Sequence, residues 1–384
     1  MNRNIKLLSW HTFFTDLIFY APVAILYFAK ISGSFALGMS VFAIATVSSA
    51  LLEIPTGIFS DMIGRRQTII LGSVSAVISA IFYAIGQSFF ILVVGSFFQG
   101  LSQSFYSGNN DALLYDTLNE KSQMEKFADF MGKISRMSPI ALAISAIFAA
   151  IMLIKGNISI LVWLSVIPQI ICLFIAFFFI EPKVKSKKSG NVYQNLREAY
   201  SGFLYNKKLR LLSMSSIIGN AFGEASYHFQ AAFYSIVWPA WAIPIAKVIS
   251  NLGAATGFHF AGRALKKFDA IKLLFIDNLA NRIINSIAVV FPSIFSPILM
   301  SSTSISFGVA YTGRNALLQK EFTNEQRATM GSLNSFLGSI FFGIVAFLLG
   351  FVADKLTPAI AILILQGFQL SNLLIYLKLF KLRS

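Results

Sequence analysis

Long apolar runs separated by short polar segments set the pattern of this chain. The runs IILGSVSAVISAIFYAIG (69–86) and ISILVWLSVIPQIICLFIAFFFI (158–180) carry no formal charge. At about 18 to 23 residues, each is long enough to cross the roughly 30 Å hydrocarbon layer of a bilayer as a helix. Reading the whole sequence this way predicts twelve transmembrane helices, over residues 8–29, 36–58, 68–86, 90–115, 134–153, 158–180, 209–237, 240–262, 271–291, 294–315, 328–352 and 357–377. The strongest interruption is EPKVKSKKSGNVYQNLREAYSGFLYNKKLRLL, beginning at Glu181. It divides the chain into an N-terminal six-helix bundle (1–180), a linker (181–207) and a C-terminal six-helix bundle (208–384). Within the linker, Val192, Leu196, Tyr200, Phe203 and Leu204 recur at helical intervals. That spacing predicts an amphipathic helix lying on the inner membrane surface, its lysines beside acidic headgroups.

The two bundles also echo one another. ALLYDTLNEKSQM, from Ala112, follows span four, and ALLQKEFTNEQRATM, from Ala316, follows span ten. GIFSDMIGRR after span two is answered by GRALKKFDAIK after span eight. Two matches in register point to a duplicated six-helix unit.

Composition agrees: 56% of the 384 residues are hydrophobic and only 12% charged, about half the charged share of a soluble domain. The net charge of +15 invites a nucleic-acid reading until the cations are placed. With the N-terminus in the cytoplasm, Lys30, Lys155 and Lys355 are the only cations in outer loops, and Lys247 and Arg282 lie inside spans. All the rest of the 31 Lys and Arg fall on the cytoplasmic side. This is the positive-inside distribution of a multi-pass protein of the cytoplasmic membrane with both termini cytoplasmic. It accounts for the charge without a nucleic-acid partner. The single Cys172 can form no internal disulfide. The basic start MNRNIKLLSWHTFF resembles a signal peptide, but Asp16 interrupts the apolar stretch, so it reads as a retained first helix.

One short charged stretch carries the resemblance to a known family. GIFSDMIGRRQTIILG contains Gly57, Asp61, Gly64, Arg65 and Arg66 in the pattern G-x-x-x-D-x-x-G-R-R, between spans two and three. Together with the span count, linker and duplication, it resembles the loop signature of the major facilitator superfamily. The resemblance implies an all-α fold of two pseudo-symmetric bundles and a solute site near the midplane between them. It further implies that Asp61 accepts hydrogen bonds at the start of span eleven, near residues 328–332, and that Arg65 pairs with Asp116. Such a cytoplasmic latch would form in the outward-open state and break on inward opening. Independently of the family, Gly57 and Gly64 suit close helix approach and a tight turn.

Ionisable groups inside spans are expensive and mark a cavity, a partner or a pathway. Asp16 lies in span one with Tyr20 one helical turn later. Glu53 sits near the inner end of span two, and Asp111 follows Asn110 in span four. Glu224 lies in span seven with Asn220 and His228 four residues to either side. In the fold this resembles, spans one, four, seven and ten line the cavity. That makes Asp16, Tyr20, Tyr106, Asn110, Asp111, Asn220, Glu224, His228 and Tyr311 the candidates for substrate or proton binding. A carboxylate withdrawn from water is suited to exchanging a proton near neutral pH, which singles out Asp16, Glu53 and Glu224. Glu224 and His228 could supply two metal ligands, but no third is evident, so no metal site or cofactor is expected. Asp277 and Arg282, five apart in span nine, read as a structural pair.

No H-E-x-x-H, G-x-S-x-G or phosphate loop ending in Lys-Ser/Thr occurs, which leaves neither proteolysis nor nucleotide hydrolysis with residues to run it. The expectation is a secondary transporter rather than an enzyme, a monomer being sufficient, with protons and a small-molecule solute as partners. The 39 Phe favour efflux of an amphipathic organic compound. Uptake of a small polar nutrient or a metal ion, and a non-transporting membrane receptor, are the alternatives. Two departures argue against standard drug/proton antiport. Ser96 stands where proton-coupled relatives often carry arginine, and Pro139 lacks the glycines of the span-five kink.

Overall fold

The computed structural model describes residues 3–154, 156–183, 206–322 and 327–382. Among them every regular element is a helix. A first group comprises α1 (Arg3–Thr15), α2 (Ala24–Ser32), α3 (Phe35–Ile63), α4 (Arg65–Ile85), α5 (Phe89–Tyr106), α6 (Asn109–Asn119), α7 (Phe127–Ser135), α8 (Met137–Leu153), α9 (Ile158–Leu164) and α10 (Val166–Phe177). A second comprises α11 (Lys207–Val237), α12 (Ile243–Lys267), α13 (Ala270–Val290), α14 (Ser296–Ser302), α15 (Ser304–Glu321), α16 (Arg327–Lys355), α17 (Pro358–Gln369) and α18 (Ser371–Lys381). The amphipathic helix expected over residues 192–204 lies outside the described residues.

Eight helical stretches among the described residues are long and apolar enough to cross a bilayer. The segments read as spans one, seven, eight and ten are helical but fall outside that set, so the count of twelve rests on the sequence pattern alone. Spans seven, eight and ten are too polar, being rich in Asn, Ser, Gly and His, and these helices also line the cavity described below.

Span one differs from its expected continuous helix. α1 ends at Thr15 and α2 begins at Ala24, so Asp16 and Tyr20 are not one helical turn apart. Pro22 explains the break, because proline lacks the amide donor and its ring clashes with the carbonyl four residues back, that of Ile18. The freed backbone groups are satisfied by side chains of the neighbouring span. Phe19 N–H donates to Ser165 Oγ (2.9 Å), and Gln169 Nε2 donates to the carbonyls of Phe14 (3.4 Å) and Thr15 (3.3 Å). Irregular backbone at membrane depth is tolerated only when it is satisfied in this way.

The two groups meet along α3 and α16. Near the start of α3, the Asp354 carboxylate at the end of α16 accepts from Phe35 N–H (2.7 Å) and Ala36 N–H (2.8 Å), while Ser34 Oγ accepts from Leu37 N–H (3.1 Å). The acid thus caps a helix whose N-terminal dipole favours negative charge. Gly350 lets the backbones touch here, since a Cβ on it would meet Phe35 O and stand 2.6 Å from Ala36 Cα. Further along, Gly343 faces Val47 and Ala43, and Phe342, Val345, Ala346 and Leu349 are buried. At the other end the seam is splayed: Leu51, Ile54, Ile58 and Met62 of α3 and Gly331, Ser332 and Ser335 of α16 are exposed.

Gly350→Ala should therefore separate α3 and α16 where they touch, costing about 1–3 kcal/mol by overpacking. A thiol label on Met39→Cys, buried beside this seam, should react faster in the Gly350→Ala background than alone. Unchanged labelling and melting temperature would show that the contact does not hold this end closed.

Candidate functional site

A cavity of about 610 Å³ lies between the splayed ends of the seam, lined mostly by the second group. The helical period of α11 places Asn220, Gly223, Glu224, Tyr227 and His228 on its cavity face. α13 contributes Asn281, Arg282 and Asn285, and α15 contributes Phe307, Tyr311 and Arg314 at i, i+4 and i+7. Asn334, Ser335 and Ser339 of α16, and Gln369 at the end of α17, complete that wall, while α3 adds Thr46. The lining is dominated by amides and hydroxyls, with Glu224 its one carboxylate.

Two features hold the cationic wall in place. Arg314 Nη2 donates to Asn220 Oδ1 (3.0 Å), and its guanidinium fills the space beside Gly219 that a Cβ would occupy. Arg282 Nη1 donates to Gln369 Oε1. Asp277, expected to pair with Arg282, instead accepts from Asn281 Nδ2 (2.9 Å), and the described residues contain no ion pair between them. A five-residue offset sets the two side chains about 140° apart on the helix. At the closed end, His228 stacks on Phe42 of α3, ring centroids 4.2 Å apart, and its Nε2 lies 3.7 Å from Glu224 Oε2.

The predicted residues divide between the groups. Asn220, Glu224, His228 and Tyr311 line this cavity, whereas Asp16, Tyr20, Glu53, Tyr106, Asn110 and Asp111 are not among its lining residues. Tyr20 is buried against Phe28 and Tyr83. Tyr106 OH donates to Ser73 Oγ (3.0 Å), which also meets His11 Nε2 (3.1 Å). Glu53 accepts from Ser107 Oγ (3.2 Å). Asp111 is exposed in the first turn of α6.

The charged stretch around Gly64 forms a cluster within the first group. α3 continues to Ile63 and α4 starts at Arg65, so the chain reverses at Gly64 alone, whose φ of +98° favours glycine. Gly57 lies inside α3 facing open space, so no close helix approach depends on it. Arg65 contacts Asp61 (Nη1 to Oδ1, 3.0 Å), Asp116 (Nε to Oδ2, 3.5 Å) and Ser60 Oγ (2.8 Å). Glu181 caps α4 by accepting from the N–H groups of Arg65 (2.8 Å) and Arg66 (2.7 Å), and Arg66 Nη2 donates to Phe177 O (2.9 Å). Among the described residues Asp61 accepts no hydrogen bond from α16. Its ion-pair partner is Arg65 and it is largely exposed.

The family model described as Major Facilitator Superfamily matches residues 8–346, nearly the whole chain. The chain belongs to this superfamily. Two curated relatives are uncharacterized transporters of Buchnera aphidicola. The one from the Acyrthosiphon pisum strain is 28% identical over 173 residues, or 45% of this chain and 43% of that protein; the one from the Schizaphis graminum strain is 27% identical over the same length. The match thus spans under half of each relative. Among solved structures, the nucleoside transporter NupG superposes with a TM-score of 0.82 at 14% identity, covering 99% of this chain and all of that one. A D-xylose-proton symporter gives 0.71 at 13% identity, covering 98% and 95%. As a member of the superfamily the chain is an integral, multi-pass membrane protein.

Several residues of this superfamily member's cavity carry no signal in the apolar pattern. Arg314 was counted with the cytoplasmic cations because the apolar pattern fades at 315, yet α15 runs on to Glu321 and carries Arg314 into the cavity wall. Asn281, Asn285 and Gln369 gave no signal because a search for ionisable groups passes over amides. Glu181 was detectable as the first charge after span six.

Gly64→Ala should destabilise the folded protein by more than about 1 kcal/mol, through backbone strain and because the Glu181 carboxylate fills the Cβ position, its Oε1 2.7 Å away. Glu181→Gln should cost less, since an amide oxygen still accepts. Melting temperatures of both variants check the order. Equal values would remove Glu181 as the reason for glycine.

Proposed function

We propose that this protein takes up a small, polar, hydrogen-bonding organic solute by alternating access, with Glu224 carrying the coupling proton. The carrying observation is the cavity lining. Amides, hydroxyls and guanidinium groups match a solute rich in donors and acceptors, and an amphipathic drug would leave these groups unpaired at a cost of about 1–3 kcal/mol each. The Phe content that pointed to efflux is explained by other duties, since Phe90, Phe174, Phe347 and Phe368 are exposed on helix faces that a bilayer would cover. The NupG and D-xylose-proton symporter likenesses support solute uptake in the same sense. A metal-ion cargo finds no support, because the described residues hold no cluster of three His, Cys, Asp or Glu.

The lysine and arginine bias assigns the Gly64 end to the cytoplasm, so the splayed seam corresponds to an inward-open state with the opposite side closed by Asp354 and Gly350. In this reading the Asp61–Arg65–Asp116 cluster is the first-group component of a cytoplasmic latch, waiting for α16 to approach. In the same reading Glu224, which lines the cavity beside His228, exchanges the proton. Two six-helix bundles, 1–180 and 208–384, would rock about the seam.

The test is reconstitution of the purified protein in liposomes with an imposed pH gradient, measuring uptake of D-xylose, uridine, succinate and glucose 6-phosphate. Accumulation of at least one solute is expected. Glu224→Gln should abolish accumulation while leaving exchange of that solute between the two sides. If no solute moves by either assay, the non-transporting receptor gains the field. If Glu224→Gln accumulates solute normally, Glu224 is not the proton carrier.

A further inference from the structure

The cavity wall holds more cationic hydrogen-bond capacity than the protein uses. Arg282 and Arg314 both face the cavity, and both are held by neutral amide oxygens, those of Gln369 and Asn220. The described residues contain no ion pair for either guanidinium. Asp277 lies within electrostatic reach of both but, among the described residues, forms an ion pair with neither and accepts hydrogen bonds from Asn281 and Ser306. Glu224, the only lining carboxylate, sits beside His228.

Orphaned donors mark the same place. Arg282 Nε is buried without a partner, and so is Nε2 of Gln369, a side chain 4% exposed whose Oε1 is already engaged by Arg282. Two N–H donors, adjacent through the Arg282–Gln369 bond, therefore await an acceptor. Guanidinium groups fit carboxylate and phosphate oxygens in a fork that neutral oxygens do not exploit. A cation kept at membrane depth with no acid in ion-pair contact is a functional feature by default. Gly219 fits the same design, because the absence of a side chain there makes room for Arg314.

We propose that Arg282, Arg314 and Gln369 form an oxyanion subsite, so that the transported solute carries a carboxylate or phosphate group. This rests on the transport reading above and narrows its substrate class. The two guanidinium groups would draw the anion in, and its negative charge would satisfy them.

The test is thermal unfolding of the purified full-length chain, with sodium phosphate or sodium succinate titrated against sodium chloride at constant ionic strength. Wild type should show a saturable rise of about 4 °C with one of these oxyanions. Arg282→Gln and Arg314→Gln should each weaken the apparent affinity at least tenfold, and Arg314→Lys less. Gly219→Ala, which keeps every charge but displaces Arg314, should weaken it as well and serves if the Gln variants do not fold. If neither oxyanion stabilises wild type beyond chloride, or if both Gln variants and Gly219→Ala respond as wild type does, the subsite is overturned. Repetition in phosphatidylcholine and phosphatidylglycerol nanodiscs separates solute from lipid. Loss of the phosphate response only in phosphatidylglycerol would assign the subsite to a headgroup and overturn the solute assignment. The two proposals fail separately. Proton-driven uptake of D-xylose or uridine with no oxyanion response sinks the subsite alone, whereas oxyanion binding with no flux of any solute sinks transport alone.

Discussion

The hydrocarbon layer offers no hydrogen-bond partner, so each backbone amide within it must be answered by the protein itself. Helices meet that demand everywhere except at their ends and breaks, and there the described structure supplies side chains. Ser165 and Gln169 serve the unwound residues before Pro22. Glu181 takes the first two amides of α4, and Asp354 takes the first two of α3. The last two are the same device, a carboxylate held against the positive end of a helix.

Their placement gives them different consequences. Glu181 and the helix it caps belong to one group, together with the Arg65, Asp116 and Ser60 contacts around Gly64, so this cap stiffens a unit. Asp354 reaches from one group to the other. A cap is worth about 1 kcal/mol, small enough to be given up when the seam opens and large enough to bias states a few kcal/mol apart. Glycine reinforces the arrangement, because Gly350 brings backbone to backbone without interlocking side chains that would have to be unpicked.

The helical architecture was legible because hydropathy reports it directly: a run such as 158–180 has few alternatives in a bilayer. The turn at Gly64 and the Arg65–Asp116 approach were legible from a motif whose residue types match the geometry. Span one was misread because periodicity registers apolar character and overlooks that Pro22 breaks the helix while neighbouring side chains repair it. The cavity was half legible. Glu224, Asn220, His228 and Tyr311 stood out by residue type and span, but the same rule promoted Tyr20, which is buried within the first group, and Tyr106, which is half-buried there and bonded to Ser73. Polar residues of a membrane helix face either a cavity or a partner helix, and the sequence does not distinguish the two.

That ambiguity is resolved by asking which polar groups are already satisfied. In the first group His11, Ser73 and Tyr106 bind one another, and Asn110 Oδ1, which is buried without a partner, is not part of the cavity lining. In the second group the amides and guanidinium groups are only partly used: Arg282 Nε, Asn285 Oδ1 and Gln369 Nε2 are buried without partners. Unpaired polar atoms at membrane depth are costly and persist where something else completes them. On the proposed uptake reading, the unspent hydrogen bonds around the cavity put recognition on the second group's side of the seam. Thr46 of α3 is the first group's contribution to the cavity lining, and Phe42 meets His228 at its closed end. On that reading one side of the molecule presents the binding chemistry and the other covers it.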